Sequence, residues 1–168
     1  MGSNTNSATD REVKYVLDAL RIIVRALRVA DAGLQHRRGM SAAQMFVLQQ
    51  LAASPGISLN QLAERVLTHQ SSVSVVVKRL VERGLVVRKR SADDARRLEL
   101  SLTSKGRLAA RKAPPAVQNE LIAGLRELSP VRRRALGRTL SGIASRIGEG
   151  GAVPPMFFEN PRGGGDRS

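Results

Sequence analysis

Polar side chains recur on one face of a predicted helix in the middle of the chain, and their types suit contact with base pairs. Val73, Val76, Val77 and Leu80 have the spacing of a buried helical face. The residues that must then face outward are Gln70, Ser71, Ser74, Val75 and Lys78. Amide, hydroxyl and ammonium groups bind base edges in the major groove, and valine suits the methyl group of thymine. The alternative is a surface helix whose serines only face water.

The rest of the sequence offers little for catalysis or metal binding. The 168 residues include no cysteine and two histidines, His36 and His69. This excludes disulfides, thiolate zinc sites and iron–sulfur clusters, and any zinc site would depend on carboxylates. No nucleophile elbow or phosphate-binding glycine loop is found in the sequence. We therefore expect no enzyme activity, no cofactor and no metal.

The charge of the chain predicts a polyanionic partner. Lys and Arg number 28 against 14 Asp and Glu, for a formal net charge of +14. By segment the net charge is +3 over 1–40, zero over 41–67, +8 over 68–112 and +3 over 113–168. One tyrosine and three phenylalanines cannot build the aromatic platforms on which single-stranded nucleic acids stack. Double-stranded DNA is therefore the expected partner.

The elements that must position the polar face begin with two short helices. Ser41 with Gln44, and Ser58 with Gln61, are capping boxes, so a helix should start just after each serine. The helix that carries the polar face, called the reading helix below, is predicted over residues 70–83.

A β-hairpin is predicted directly after the reading helix. Residues 85–90 are rich in valine, and leucines alternate with polar residues over 98–102, so the hairpin should span 85–103. Short helix, turn, helix and hairpin in this order form a winged helix–turn–helix, whose second helix enters the major groove. Arg88 and Arg90 then lie on the wing, where DNA phosphates pass.

Helices are also predicted on both sides of this unit. Apolar residues at helical spacing indicate a long first helix over 9–35, capped by Thr9, and more helices within 104–148. The fold class is mainly α with a small β-hairpin wing. The glycine- and proline-rich residues 149–168 are predicted to be a flexible tail. For Met156-Phe157-Phe158 within that tail, fold-back onto these helices, a short docking motif for a partner and a disordered end all stay open.

Three pieces of the sequence resemble the MarR family of bacterial transcriptional regulators. They are Gly84-Leu85-Val86-x-Arg88, Asp94-x-Arg96 and Leu102-Thr103-x-x-Gly106, at the spacing of that family's wing. Leu62-Ala63-Glu64 and Ser72-Val73-Ser74 are similar to its helix–turn–helix, though less specifically. The resemblance extends from about residue 10 to residue 148.

The resemblance implies a homodimer that binds a near-palindromic duplex, as a repressor that responds to a ligand. It makes residues 9–35 and 104–148 the dimerisation helices and residues 41–103 the DNA-binding domain. No run of about 18 apolar residues is present, so we expect a cytoplasmic protein without a membrane segment.

The same resemblance implies further contact residues. Ser72 joins the DNA-binding residues, and Arg96 enters the minor groove with Asp94 orienting it. The alternative for the last two is an exposed ion pair without a role in DNA binding. The family senses small aromatic or phenolic ligands, so the candidate effector residues are Tyr15, His36, Arg37, Met40, Met45 and Phe46. Met45 and Phe46 also suit an ordinary core.

Two other functions stay open at this stage. A basic architectural protein would coat duplex DNA without choosing a sequence, and a winged helix can also serve as a protein-interaction module. The concentration of positive charge in residues 68–112 disfavours the second.

Overall fold

The computed structural model describes residues 3–90, 98–148 and 156–157, with side chains from residue 7 onward. Within these ranges the elements are α1 (Ser3–Arg38), α2 (Ala42–Ala53), α3 (Leu59–Arg65), α4 (Gln70–Glu82), β1 (Val86–Arg90), β2 (Leu98–Leu102), α5 (Ser104–Arg111), α6 (Val117–Glu127) and α7 (Pro130–Ile147). The predicted class, mainly α with a β-hairpin wing, is confirmed. None of the helices in the described part is long and apolar enough to cross a membrane.

The predicted helix starts at the capping boxes are confirmed. Ser41 Oγ accepts a hydrogen bond from the Gln44 backbone N–H at 3.1 Å, and the Gln44 side chain accepts one from the Ser41 backbone N–H at 3.1 Å. Ser58 and Gln61 repeat the arrangement at the start of α3. A capping box involves only residues three positions apart, so the sequence alone is enough to predict it.

The predicted start of the first helix is wrong. Helix α1 already begins at Ser3 and ends at Arg38, so Thr9 lies inside it and is not its N-cap. Residues 3–8 contain no glycine or proline, and adding residues to an existing helix costs little, so a cap preference worth about 1 kcal/mol does not stop it.

Helix α2 lies at the centre of the winged domain. All of its residues from Ala42 to Leu48 are buried, together with Leu51. The buried face predicted for the reading helix packs in the same core, through Val73, Val76, Val77 and Leu80. Met156 also belongs to this core at 7% exposure, whereas Phe157 is 55% exposed, and Phe158 lies outside the described residues.

The wing is held by a third extended segment. Strands β1 and β2 pair antiparallel, with Val86 opposite Leu102. Leu100 on the other edge of β2 donates to the Ile57 carbonyl at 2.8 Å and accepts from the Gly56 N–H at 3.1 Å. The segment before α3 therefore binds the sheet and ties the wing to the helix–turn–helix.

Helices α1 and α7 expose apolar side chains. In α1 these include Val13, Val16, Leu17, Ile23 and Val24, and in α7 they include Leu136, Leu140, Ile143 and Ile147. No residue of α7 is buried in the described chain. Ser129 caps the start of α7, and Pro130 is its first residue.

Asp18 forms an ion-pair cluster on the exposed surface of α1. It accepts hydrogen bonds from Lys14 Nζ at 2.8 Å and from Arg21 Nη1 at 2.6 Å. The bond from Lys14, followed by that from Arg21, lowers the pKa of Asp18, and the bond to Asp18 raises the pKa of Lys14. These pairs connect successive turns of the helix and stabilise it locally.

Candidate nucleic-acid interface

Helix α4 presents most of the predicted polar face to solvent. Gln70, Ser71 and Lys78 are exposed, Ser74 is half-buried, and Val75 keeps 43% of its surface exposed. The opposite face is fully buried at Val73, Val76, Val77 and Leu80. The structure thus brings these five predicted residues together along one side of a helix. Val75 is the apolar member of this face and lies between polar side chains.

Ser72 does not belong to that face. It is 8% exposed, which does not fit the direct DNA contact predicted for it. The reason is helical geometry, because Ser72 stands four residues before Val76 and therefore shares its buried side. Similarity of a short motif carried no information on this orientation.

The start of α4 is electrostatically suited to an anion. Its first turn contains no acidic residue, and the N-cap His69 makes no side-chain capping bond. A helix N-terminus carries a partial positive charge that favours phosphate. Further along, Lys78 Nζ lies 4.0 Å from Glu82 Oε1, and the Lys78 side chain remains 75% exposed. Its ammonium group is therefore accessible to a polyanion.

The wing adds a row of cations to the same interface. Arg88, Lys89 and Arg90 are all exposed on β1. Because side chains alternate along a strand, Arg88 and Arg90 share one side, and Lys89 lies on the other with Glu99 as its cross-strand partner. The two other predicted wing residues, Asp94 and Arg96, lie outside the described residues.

Thr103 fixes the base of the wing. Its Oγ1 donates to the Gly84 carbonyl at 2.8 Å and accepts from the Gly106 N–H at 3.0 Å. Gly84 has a φ of +65°, a conformation that favours glycine. A Cβ atom on Gly106 would overlap the carbonyl oxygen of Leu85. The residues that carried the resemblance at this end of the wing therefore set the angle between α4, the wing and α5.

The candidate effector residues lie apart from one another in the single chain. Met40, Met45 and Phe46 are buried in the core, since α2 lies at its centre. Tyr15 is 78% exposed on α1 and, at the helical rise per residue, lies roughly 30 Å from His36. His36 and its neighbour Arg37 are exposed at the end of α1.

A different pocket lies between the end of α1 and the winged domain. Its volume is about 260 Å³, and it is lined by Arg38, Met40, Arg83, Leu85, Lys105, Leu108, Ala109 and Lys112. Four of these residues are cationic and four are apolar. Met40 is one of the predicted effector residues, and the pocket forms because α1, the end of α4, the residue before β1 and α5 meet here through tertiary packing. Within the described ranges, no group of three His, Asp or Glu side chains is placed to hold a metal ion.

Comparison with known proteins identifies the family that this winged domain resembles. A family model described as MarR family matches residues 38–97. An HTH-type transcriptional repressor of Mycobacterium tuberculosis is 28% identical over 107 residues, which are 64% of this chain and 77% of that protein. The HTH-type transcriptional repressor MdtR of Bacillus subtilis is 34% identical over 83 residues, 46% of this chain and 54% of that protein.

Solved structures share the fold. Streptococcus pneumoniae FabT in complex with DNA is 20% identical, with a TM-score of 0.54 over 83% of this chain and 96% of that one. The Staphylococcus aureus MepR–DNA complex is 20% identical, with a TM-score of 0.54 over 80% and 98%. A probable transcriptional regulator from Pseudomonas aeruginosa is 25% identical, with a TM-score of 0.53 over 75% and 94%.

Proposed function

Because this chain belongs to the MarR family of winged helix–turn–helix transcriptional regulators, we propose that it is a homodimeric repressor that binds near-palindromic duplex DNA by sequence. Proteins of this family regulate transcription and are not enzymes. The observation that carries the proposal is the exposed face of α4, where Gln70, Ser71, Ser74, Val75 and Lys78 lie together.

In the proposed complex, α4 enters the major groove. The amide of Gln70 and the hydroxyl groups of Ser71 and Ser74 bind base edges, and Val75 contacts a thymine methyl group. Lys78 binds a base or a nearby phosphate. FabT and MepR, which share the fold, have been solved with DNA, and that supports this placement.

The wing holds the DNA backbone beside the reading helix. Arg88 and Arg90 share one side of β1 and neutralise phosphates. Arg96, oriented by Asp94, inserts into the minor groove, where a narrow groove concentrates negative potential. Arg96→Ala then weakens binding to the specific site by about 1–3 kcal/mol, as measured by titration of a labelled duplex.

A homodimer covers the apolar side chains of α1 and α7. Leu17 and Val24 of α1, and Leu140 and Ile143 of α7, are each partly exposed in the single chain. Large contiguous apolar surfaces of this kind mark interfaces. Two-fold symmetry then places the two α4 helices on half-sites about 10 bp apart.

The pocket beside α1 supports a response to a ligand. Arg38, Arg83, Lys105 and Lys112 surround an apolar floor that includes Leu108. Cations over an apolar floor suit a small aromatic acid or phenolate. The pocket joins the end of α1 to the end of α4, so a bound ligand would bias the angle between the dimerisation helices and the reading helix. We place the protein in the cytoplasm, with access to DNA.

A non-specific architectural role is the competing function, favoured by the net charge of +14. Selection of bound duplexes from a random pool separates the two. A sequence-specific repressor prefers the selected duplex over random DNA by about 10³ or more. Binding of both within a few-fold would instead support the architectural role. The selected sequences also report dimer symmetry and half-site spacing.

A further inference from the structure

Two neighbouring glutamines of α2 bind the segment that leads into α6. Gln49 Nε2 donates to the Pro114 carbonyl at 2.7 Å, and Gln49 Oε1 accepts from the Ala116 N–H at 3.0 Å. Gln50 Nε2 donates to Asn119 Oδ1 at 3.0 Å. The central helix of the winged domain thus holds both the start of α6 and the turn before it.

Gln50 also binds the helix–turn–helix. Its Oε1 accepts a hydrogen bond from Nε of Arg65, the last residue of α3, at 3.0 Å. Both ends of one amide group are therefore used. Arg65, Gln50 and Asn119 form a continuous chain of hydrogen bonds from α3 to α6, which we call the Gln50 relay. Gln50 and Asn119 are half-buried, so water competes less for the bond between them than for the exposed bond from Arg65.

Few apolar side chains anchor this part of the structure, chiefly Ala116 at the start of α6 and Ile122 within it. Helix α6 packs mainly on α1, and its innermost side chain is the polar Gln118. The Gln118 amide nitrogen is buried and has no hydrogen-bond partner within the described residues. Hydrogen bonds have a preferred direction, whereas apolar contacts permit sliding. The side-chain amides therefore add a directional constraint on the angle between α2 and α6.

We propose that Gln50 is a positioning residue that fixes the angle between the helix–turn–helix and α6, and thereby the distance between the two reading helices of the dimer. The inference rests on the proposed homodimer and its binding to DNA. Helix α3 packs on the reading helix α4, and α6 packs on α1. The relay therefore connects α3, which supports the reading helix, with the proposed dimerisation helices. Because the proposed dimer is two-fold symmetric, a change of this angle occurs in both subunits and shifts both reading helices.

Half-site spacing is the property that tests this role. Gln50→Leu removes both relay bonds with a similar side-chain volume, and Gln50→Glu, which still accepts from Arg65, is the matched control at the same position. Both proteins are titrated with duplexes that carry two half-sites selected by the wild type, at the selected spacing and with one or two base pairs added. An isolated half-site serves as a further probe.

The wild type and Gln50→Glu should lose about tenfold in affinity for each added base pair, whereas Gln50→Leu should lose less than about threefold. Affinity for the isolated half-site should not change. A purely structural role would lower the melting temperature without altering the spacing preference. Gln50→Glu should restore the preference, because it still accepts from Arg65 and the Asn119 amide can rotate to donate to it.

A wild-type spacing preference in Gln50→Leu would overturn the proposal. Asn119→Ala removes only the second bond and gives the same readout if Gln50→Leu does not fold. Failure of the wild type to dimerise, or to bind any selected duplex, would refute the proposed function and this inference with it. One experiment therefore distinguishes failure of the Gln50 inference from failure of the proposed function.

Discussion

Arg83 Nη1 donates a hydrogen bond to the carbonyl oxygen of Gly39 at 2.5 Å, although the two residues are 44 positions apart. Arg83 is the C-cap of α4, and Gly39 directly follows α1 with a φ of +59°. The reading helix is thus bound at its C-terminal end to the long helix that we place in the dimer interface.

Removing this link should weaken the attachment of α4. Arg83→Met keeps the apolar stem and loses the donors, so the free energy of unfolding should fall by about 1 kcal/mol. Arg134→Met, at an exposed site of α7, is the control for loss of one positive charge. Urea denaturation measures both, and equal stability of the two variants would contradict the link.

Gly106 should not tolerate a side chain. A methyl group there overlaps the Leu85 carbonyl oxygen, which itself accepts a hydrogen bond from the Thr103 N–H at 3.1 Å. We expect Gly106→Ala to lower the free energy of unfolding by about 3 kcal/mol. Gly124→Ala, in α6 with open space around it, should instead raise it by about 0.5–1 kcal/mol. Thermal and urea denaturation of the pair check both signs.

Leu67 occupies a conformation that suits glycine. Its φ is +54° and its side chain is 62% exposed, in the turn between α3 and α4. The left-handed backbone conformation destabilises the folded state by roughly 1–2 kcal/mol when the residue has a Cβ atom. Leu67→Gly should therefore be more stable than Leu67→Ala by about 1 kcal/mol, since both lose the same exposed leucine. If the alanine variant were equally stable, the turn would not be strained.

The wing cations should determine the salt dependence of DNA binding. Arg88→Ala should weaken binding to all sequences alike and reduce the slope of log affinity against log salt by about 1. Arg138→Ala removes the same charge from α7, away from β1, and should leave that slope unchanged. Titrations at several salt concentrations give the slopes, and identical slopes for both variants would remove Arg88 from the interface.

The apolar stripe of α7 should be needed for dimerisation. Ile143→Asp places a charge in the stripe, and Ser145→Asp places the same charge on the opposite side of the helix. Burying an unpaired carboxylate is costly, so only Ile143→Asp should be monomeric in analytical ultracentrifugation. A dimeric Ile143→Asp would place the interface elsewhere.

The sequence by itself determined the features that depend on neighbours within a few residues. The capping boxes at Ser41 and Ser58, the buried face of α4 and the start of α7 at Ser129 all follow from local hydrogen bonds and helical spacing. The two strands of the wing follow from alternation of apolar and polar residues. These signals are short in range, so one sequence contains them completely.

Tertiary structure alone decided which distant residues meet. It joined Ile57 to Leu100 and gathered the cations of the pocket from α1, the end of α4 and α5. The Gln50 relay joins residues whose separations are 15 and 69 positions. Such contacts depend on the angles at which complete elements pack, and local periodicity carries no information on those angles.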